Sequence, residues 1–349
     1  MSIPDPTVPG RVCIVMMSAV GDAVHVLPVI NALKRANPAT TITWVLQPGA
    51  AALVRGHRSV DEIVLFDRSK GWRAFVDVRK ALAGREFDLV INLQVYLKAG
   101  IVTAFTRAPT KLGFDRARAR DFNWLFTNRK IPSRPVQHVQ NQYFEFLTAL
   151  GVPPDPVVWD LGPWKEERGW QRGFISSIDR PIASIVVGTS KPEKDWIPER
   201  WAQVADQLHD AFGMQVVLVG GKSERELAAQ QRVMDLTKNK PRTELGSGLR
   251  KLVSILHASS LVLSPDTGPL HMSVALDRPV ISLMGYTNPK RTGPYRLFHD
   301  LIIDAYGDPG EDYPISMENR PGRMRRIETR DVMEKVQLWR QRYGGRERT

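Results

Sequence analysis

The sequence predicts an α/β protein built of two Rossmann-like domains, and three observations predict it. Short runs rich in Val and Ile alternate with stretches whose apolar residues recur every three or four positions, the pattern of parallel sheets covered on both faces. The pattern stops at a proline-rich break and then starts again. A chain of 349 residues is also longer than most single cores.

In the first half, residues 12–17, 42–46, 63–66 and 89–93 read as buried strands bounded by turn residues. Residues 24–35 and 75–82 read as helices between them, with Pro28 requiring that the first helix start late or tolerate a kink. The break is residues 151–163, where Pro153, Pro154, Pro156 and Pro163 surround Asp155 and Asp160. Beyond it, strands are expected at 182–187, 216–219, 261–263 and 280–283, and helices at 201–212, 224–236, 249–258 and 269–276. The domains are therefore placed at residues 1–163 and 164–327, followed by a C-terminal segment, 328–349, that reads as a helix over 328–341. Two such sheets facing each other would hold a ligand in a crevice at the carboxyl ends of their strands.

Composition narrows the function. Lys and Arg number 49 against 37 Asp and Glu, and the resulting +12 points to an anionic partner: nucleotide, nucleic acid or membrane surface. Cys13 is the only cysteine, which excludes an intrachain disulfide and a cysteine-cluster metal site. Residues 12–17, the longest early apolar run, are too short to cross a bilayer, and residues 1–10 lack the basic start and apolar stretch of a secretory signal. The expected compartment is the cytoplasm. Several nucleotide and metal signatures fail: Gly220-Gly221-Lys222-Ser223 has Val216 where a phosphate loop needs its first glycine, Gly246-Ser247-Gly248 lacks the third glycine of a dinucleotide fingerprint, and no Asp-x-Asp pair occurs. No metal is expected.

Three strand-to-helix turns carry the candidate chemistry. The first is Ser18-Ala19-Val20-Gly21-Asp22, where Gly21 is read as the residue that lets the chain bend and Asp22 as either a helix cap or a functional carboxylate. The second is Thr189-Ser190-Lys191-Pro192-Glu193-Lys194-Asp195-Trp196, whose hydroxyls and lysines suit phosphate oxygens, or else form a solvated loop with Trp196 and Trp201 packed beneath it. The third is Ser264-Pro265-Asp266-Thr267-Gly268-Pro269-Leu270-His271. Pro269 marks a helix start whose free N–H groups suit a diphosphate; Asp266 and Thr267 are equally read as caps, and His271 as a structural histidine one turn in.

Taken together these segments resemble glycosyltransferase family 9. The likeness runs from about Arg11 to about Tyr295, through Ser18-Ala-Val-Gly-Asp22-Ala-Val-His25-Val-Leu-Pro28, Asp266-Thr-Gly-Pro-Leu-His271 and Gly285-Tyr-Thr287-Asn-Pro289, then Arg291-Thr-Gly-Pro-Tyr295. Within the family, Asn92-Leu-Gln94, Leu97-Lys98, Arg118-Ala-Arg120-Asp121 and His138 look like the enzymes that add the first heptose to the lipopolysaccharide inner core. The sequence departs from the family at Trp196-Ile197-Pro198, where Trp-Pro is usual, and at Gln142, where the subgroup tends to carry a basic residue.

The resemblance implies a GT-B fold, with an acceptor-binding first domain, an ADP-sugar-binding second domain, a C-terminal helix in 328–349 that packs back on the first domain, and an inverting transfer. It implies ADP-heptose as donor and Kdo-lipid A as acceptor, met at the inner face of the cytoplasmic membrane by a monomer that needs no cofactor and binds no nucleic acid. On this reading Asp22 is the general base and Lys194 steadies the departing diphosphate. Thr189, Ser190, Glu224, Asp266, Thr267, Gly268 and His271 join Lys194 around the donor, with Glu224 on its ribose. Ser18, Gly21, Arg68, Arg73, Gln94, Lys98, Arg120 and His138 are the acceptor candidates. The runners-up are a sister enzyme adding a later sugar, and a non-catalytic basic protein that binds membrane or nucleic acid. The stretch from Arg107 to Arg134 supports an anionic acceptor, because eight basic residues are interleaved there with Phe114, Phe122, Trp124 and Phe126.

Overall fold

The computed structural model describes residues 8–344 as two compact units. Part of the N-terminal stretch on which the leader expectation rests lies outside the described residues. The first unit runs to residue 135 and resumes at Val139–Asp160; the second comprises Val136–His138 and everything from Leu161 on. The boundary thus falls three residues before the expected one, inside the proline-rich break.

In the first unit the strands are β1 (Arg11–Val15), β2 (Thr41–Leu46), β3 (Glu62–Leu65), β4 (Leu89–Asn92), β5 (Thr110–Gly113) and β6 (Arg129–Lys130). They form one parallel sheet in the order β3-β2-β1-β4-β5-β6. The central strand β1 is buried along Val12–Val15, with Cys13 registered between Thr43 and Val90. Burial pushes the Cys13 thiol up to about 12, so the lone cysteine is an inert core residue. The helices are α1 (Val20–Ala36), α2 (Pro48–Val54), α3 (Arg73–Leu82), α4 (Leu97–Ala104) and α5 (Val139–Ala149). Helix α1 neither starts late nor stops at Pro28. It begins at Val20 and buries every residue from Ala23 to Leu33, and that packing outweighs the one N–H that Pro28 withholds. Gln140 of α5 braces it there, donating from Nε2 to the His25 carbonyl at 2.8 Å.

The second unit opens with α6 (Arg168–Ser176) and repeats the design. Its elements are β7 (Ile182–Val186), α7 (Pro198–Phe212), β8 (Gln215–Val219), α8 (Glu224–Leu236), β9 (Arg242–Thr243), α9 (Leu249–Ala258), β10 (Leu261–Pro265), α10 (Gly268–Ala275), β11 (Val280–Met284), α11 (Pro289–Thr292), β12 (Ile302–Asp304) and α12 (Thr329–Tyr343). The parallel order is β12-β11-β10-β7-β8-β9, with the order reversing beside β7 as it does beside β1. The C-terminal helix corrects the sequence expectation. Instead of returning to the first unit, α12 buries Val332, Met333, Val336 and Trp339 within the second, against α7 and β12. Trp339 Nε1 donates to the Ser260 carbonyl at 3.1 Å, and Lys335 Nζ to the Asp300 carbonyl at 2.6 Å.

Candidate active site

In the first unit the candidate chemistry gathers where β1 gives way to α1. Ala19 occupies the N-cap position of α1 and has no side chain to cap it. Asp22, at the third helical position, reaches back instead, and the Ala19 N–H donates to its Oδ2 at 2.8 Å. Its Oδ1 accepts from the Tyr143 hydroxyl of α5 at 2.9 Å. Asp22 thus helps to cap the helix and is still half-buried, with a spare lone pair on each oxygen. Gly21 does not make the bend: it lies inside α1 with no positive φ. The bend is held by Gln94, whose Oε1 accepts from Met17 N at 3.1 Å and whose Nε2 donates to the Ser18 carbonyl at 2.9 Å. Both ends of that carboxamide are therefore engaged by the turn itself.

The other acceptor candidates of the first unit are dispersed. Lys98 is exposed on the first turn of α4, and Arg120 is exposed in the loop after β5. Arg68 is exposed on the short helical turn after β3, and Arg73 walls an open hollow of about 740 Å³ with Lys70, Trp72 and Lys80, where Lys70 is already paired with Asp77 at 2.8 Å. The basic stretch is not one face. Arg118 is an internal cation, bonded to Asp115, to both oxygens of Glu145 and to the Pro132 carbonyl. Lys111 Nζ donates to the carbonyls of Thr103 and Thr106, at 3.0 and 2.8 Å. Phe114 is core, Trp124 lies under the Arg116 guanidinium at 4.7 Å, and only Phe122 of the four aromatics is largely exposed.

The second unit concentrates its polar groups around Asp266, which follows β10 and is buried. Lys194 Nζ donates to Asp266 Oδ2 at 2.7 Å and stands 3.3 Å from its carbonyl. The hydroxyls of Thr287 and Thr292 reach the same oxygen at 2.5 and 3.4 Å, and His271 Nε2 stands 3.6 Å from Oδ1. Burial would raise the Asp266 carboxyl, but His271 and the Lys194 charge outweigh burial and hold it far below the usual carboxylate range. Asp266 is thus no cap. Thr267 takes the N-cap position of α10 with extended backbone and no side-chain capping bond, so the first-turn N–H groups at Thr267 and Gly268 receive no side chain. A permanent anion, a lysine and a bare helix N-terminus meet at one corner, an arrangement suited to a phosphate-bearing ligand.

The loop after β7 is more structural than its composition suggests. Thr189 N and Oγ1 both donate to Asp195 Oδ1 at 2.8 Å, and Arg225 closes the loop on Asp195. Ser190 is exposed at its tip, while Trp196 and Trp201 pack beneath edge-to-face at 4.5 Å, as the sequence suggested for a solvated loop. Glu224 is exposed in the first turn of α8, whereas Glu226 folds inward to accept from Gly221 N at 2.7 Å and to pack on Gly188. His138 belongs to the second unit, where its Nε2 donates to the Gly293 carbonyl at 3.0 Å; burial pushes the imidazole down to about 4, against the bond to Gly293, with His271, His299 and Arg291 adding to the fall. Sequence reasoning missed Tyr143 and assigned no role to Thr287. For Thr287 a signal existed, since it lies in the quoted motif; for Tyr143 none did.

Residues 75–304 match the family model for glycosyltransferase family 9 (heptosyltransferase). The chain belongs to that family. It is accordingly a glycosyltransferase, and its two parallel sheets are the paired Rossmann-like units of the GT-B fold. Among family 9 relatives, the lipopolysaccharide core heptosyltransferase OpsX of Haemophilus influenzae is 31% identical over 85% of this chain and 85% of its own length. Lipopolysaccharide heptosyltransferase 1 of Pseudomonas aeruginosa is 30% identical over 82% of this chain and 81% of its own. The family 9 structure from Veillonella parvula superimposes with a TM-score of 0.81 at 22% identity, covering 94% of this chain and 96% of that one. The E. coli heptosyltransferase WaaC with ADP has a TM-score of 0.73 at 24% identity over 95% and 99%. These two likenesses are of fold.

Proposed function

We propose that the protein is an inverting heptosyltransferase that moves heptose from ADP-L-glycero-D-manno-heptose to the Kdo-lipid A inner core of lipopolysaccharide, working as a monomer at the inner face of the cytoplasmic membrane. The observation that carries the donor half is the Asp266 corner. A nucleoside diphosphate brings negative charge that grows as the glycosidic bond breaks, and a fixed cation beside a bare helix N-terminus stabilises that growth without reorganising. Lys194 is the group that meets the diphosphate, with Asp266 holding its ammonium in place, His271 steadying Asp266, and Ser190 free at the loop tip to add a hydroxyl. Thr189 acts through the loop it shapes. Glu224 is the carboxylate offered to the ribose. In the acceptor half, Asp22 takes the proton of the attacking hydroxyl, oriented by Tyr143 and by the turn that Gln94 clamps. Lys98, Arg68, Arg73 and Arg120 offer cations to the acidic groups of Kdo and lipid A. The chemistry needs no metal or other cofactor in this scheme, since lysine and helix dipole supply the charge. The family 9 relatives named for heptosyltransferase activity at the lipopolysaccharide core support the donor and the pathway.

Transfer of label from ADP-heptose to Kdo-lipid A, compared with acceptors that already carry one heptose, is the test. Preference for Kdo-lipid A is expected. Preference for the heptosylated acceptor would make the protein a sister enzyme acting later, and no transfer to either would overturn the reading.

A further inference from the structure

An apolar patch lies on the first unit, next to the turn that carries Asp22, and the catalytic reading does not use it. Tyr96 and Leu97 at the start of α4 are 50% and 39% exposed, while Phe122 and Leu125 are 68% and 59% exposed. Their two segments form one surface. Asn123 Nδ2 donates to the Tyr96 carbonyl at 2.7 Å, Arg120 N donates to the Val95 carbonyl at 2.7 Å, and the Phe126 ring sits directly against Gly100, leaving no room for a Cβ there. Gln94, which clamps the Ser18 carbonyl, is two residues before Tyr96, so the patch borders the carboxyl edge of the sheet.

The loop that carries Phe122 has left-handed backbone at two successive positions. Asp121 and Phe122 have φ of 51° and 60°, two consecutive non-glycine residues in the left-handed region. A loop that only had to turn would relieve this with glycine or asparagine. Exposed Lys98, Arg116 and Arg120 border the patch; of the nearby acids, Asp115 is buried against Arg118 and Asp121 alone is exposed. Large apolar side chains ringed by cations match the polar-apolar boundary of an anionic bilayer. A second copy of the chain would bring the same cationic rim against this one, and like charges disfavour that pairing.

We propose that Tyr96, Leu97, Phe122 and Leu125, bordered by Lys98, Arg116 and Arg120, are the surface by which the first unit settles on an anionic membrane. The inference deepens the functional reading above, because a lipid-linked acceptor is presented at such a surface, and it is tested without turnover. Full-length protein is sedimented with vesicles of phosphatidylcholine containing phosphatidylglycerol, with vesicles of phosphatidylcholine alone, and without vesicles, all lacking acceptor. Binding is expected only with the anionic lipid, weakening at high salt and falling about tenfold or more in Phe122→Ser/Leu125→Ser. Phe122→Gly is the companion variant: it relieves the positive φ while deleting the ring, so it is expected to melt no lower than wild type and still to bind vesicles less well. Both variants are expected to keep wild-type ADP affinity.

Wild-type binding to vesicles in either variant overturns the proposal, as does a wild-type protein that ignores anionic vesicles. A concentration-dependent dimer that disappears in Phe122→Ser/Leu125→Ser overturns it too, and gives the patch to a second copy. Vesicle binding by a wild-type protein that transfers no heptose supports the surface and fails the functional reading alone.

Discussion

The two sheets present their central turns in the same way and equip them differently. After β1 and after β10 the chain enters a helix, α1 or α10, whose N-cap residue makes no side-chain capping bond. Asp22, just inside α1, is half-buried and accepts two hydrogen bonds, one of them from a phenol. Asp266, just before α10, is buried and faces a lysine, two threonine hydroxyls and a histidine. A half-buried carboxylate that accepts only two hydrogen bonds keeps lone pairs open to a further donor. One surrounded by cations and hydroxyls stays charged and keeps other groups in place. Two carboxylates beside comparable strand-to-helix turns are thus held differently, one half-buried on two hydrogen bonds and one buried in an ionic corner.

The comparison breaks first if Asp266 is dispensable. Asp266→Ala strands Lys194 in a partly buried corner, and losing one partner of a buried pair costs about 3–5 kcal/mol. Chemical denaturation is expected to show that loss, with Asp266→Ala/Lys194→Met recovering most of it. Equal stability of the single variant and wild type would reduce the corner to a surface contact.

The second unit is also expected to be the acid-sensitive one. An unfolded His138 takes up its proton near pH 6.5, whereas the folded residue waits until about 4. Stability is therefore full above pH 6.5 and falls as pH drops from there toward 4, by a sum on the order of 3 kcal/mol. His257, pushed down to about 4 by burial and then by Arg278, adds in the same direction. Melting curves from pH 7 to 4.5 for wild type and His138→Gln test this: the variant should show a shallower slope, and parallel slopes would refute it.

For the lightly held carboxylate the expected effect is on rate. Asp22→Asn keeps the shape and the bond to Ala19 N, so ADP affinity and melting should stay near wild type while transfer falls by roughly 10² or more. Turnover near wild type would leave Asp22 as a helix-capping residue. Tyr143→Phe sharpens the point with the smallest effect. It removes one hydrogen bond, worth about 0.5–1.5 kcal/mol, and is expected to lower kcat several-fold with KM for donor unchanged. An unaltered kcat would show that the phenol does not orient the base.

How much of this was legible in the sequence follows from where each signal resides. The buried strands at 12–17, 42–46, 182–187 and 280–283 were legible because a strand covered on both faces is a nearly continuous apolar run, interrupted here only by Thr43, Ser184 and Ser282. Strand β5, between β4 and the short edge strand β6, was not, since Thr-Lys-Leu-Gly buries only its last two residues and reads as part of a basic loop. The turns at Asp22 and Asp266 stood out by their place after strands. Their partners did not: Tyr143 is 121 residues from Asp22, and Lys194 is 72 from Asp266, separations that no local pattern encodes. Arg118 misled for the same reason, because the acid that internalises it, Glu145, lies 27 residues on in α5. Exposed Leu125 and Tyr96 went unnoticed because an apolar residue in a sequence gives no sign of which way it faces.

The seating of α12 has a consequence for how the chain is made. Synthesis delivers residues from the amino end, and domains generally fold as units while that proceeds. The first unit has its last strand and helix by Asp160, long before translation finishes. Among the described residues the second has all its strands by Asp304, yet the apolar side of β12 and α7 waits for Val332, Val336 and Trp339 of α12, made well after them. A nascent chain therefore carries one closed half and one open half until α12 emerges. A stop codon that removes α12 leaves the second unit permanently open, with its apolar wall offered to chaperones, proteases or other nascent chains.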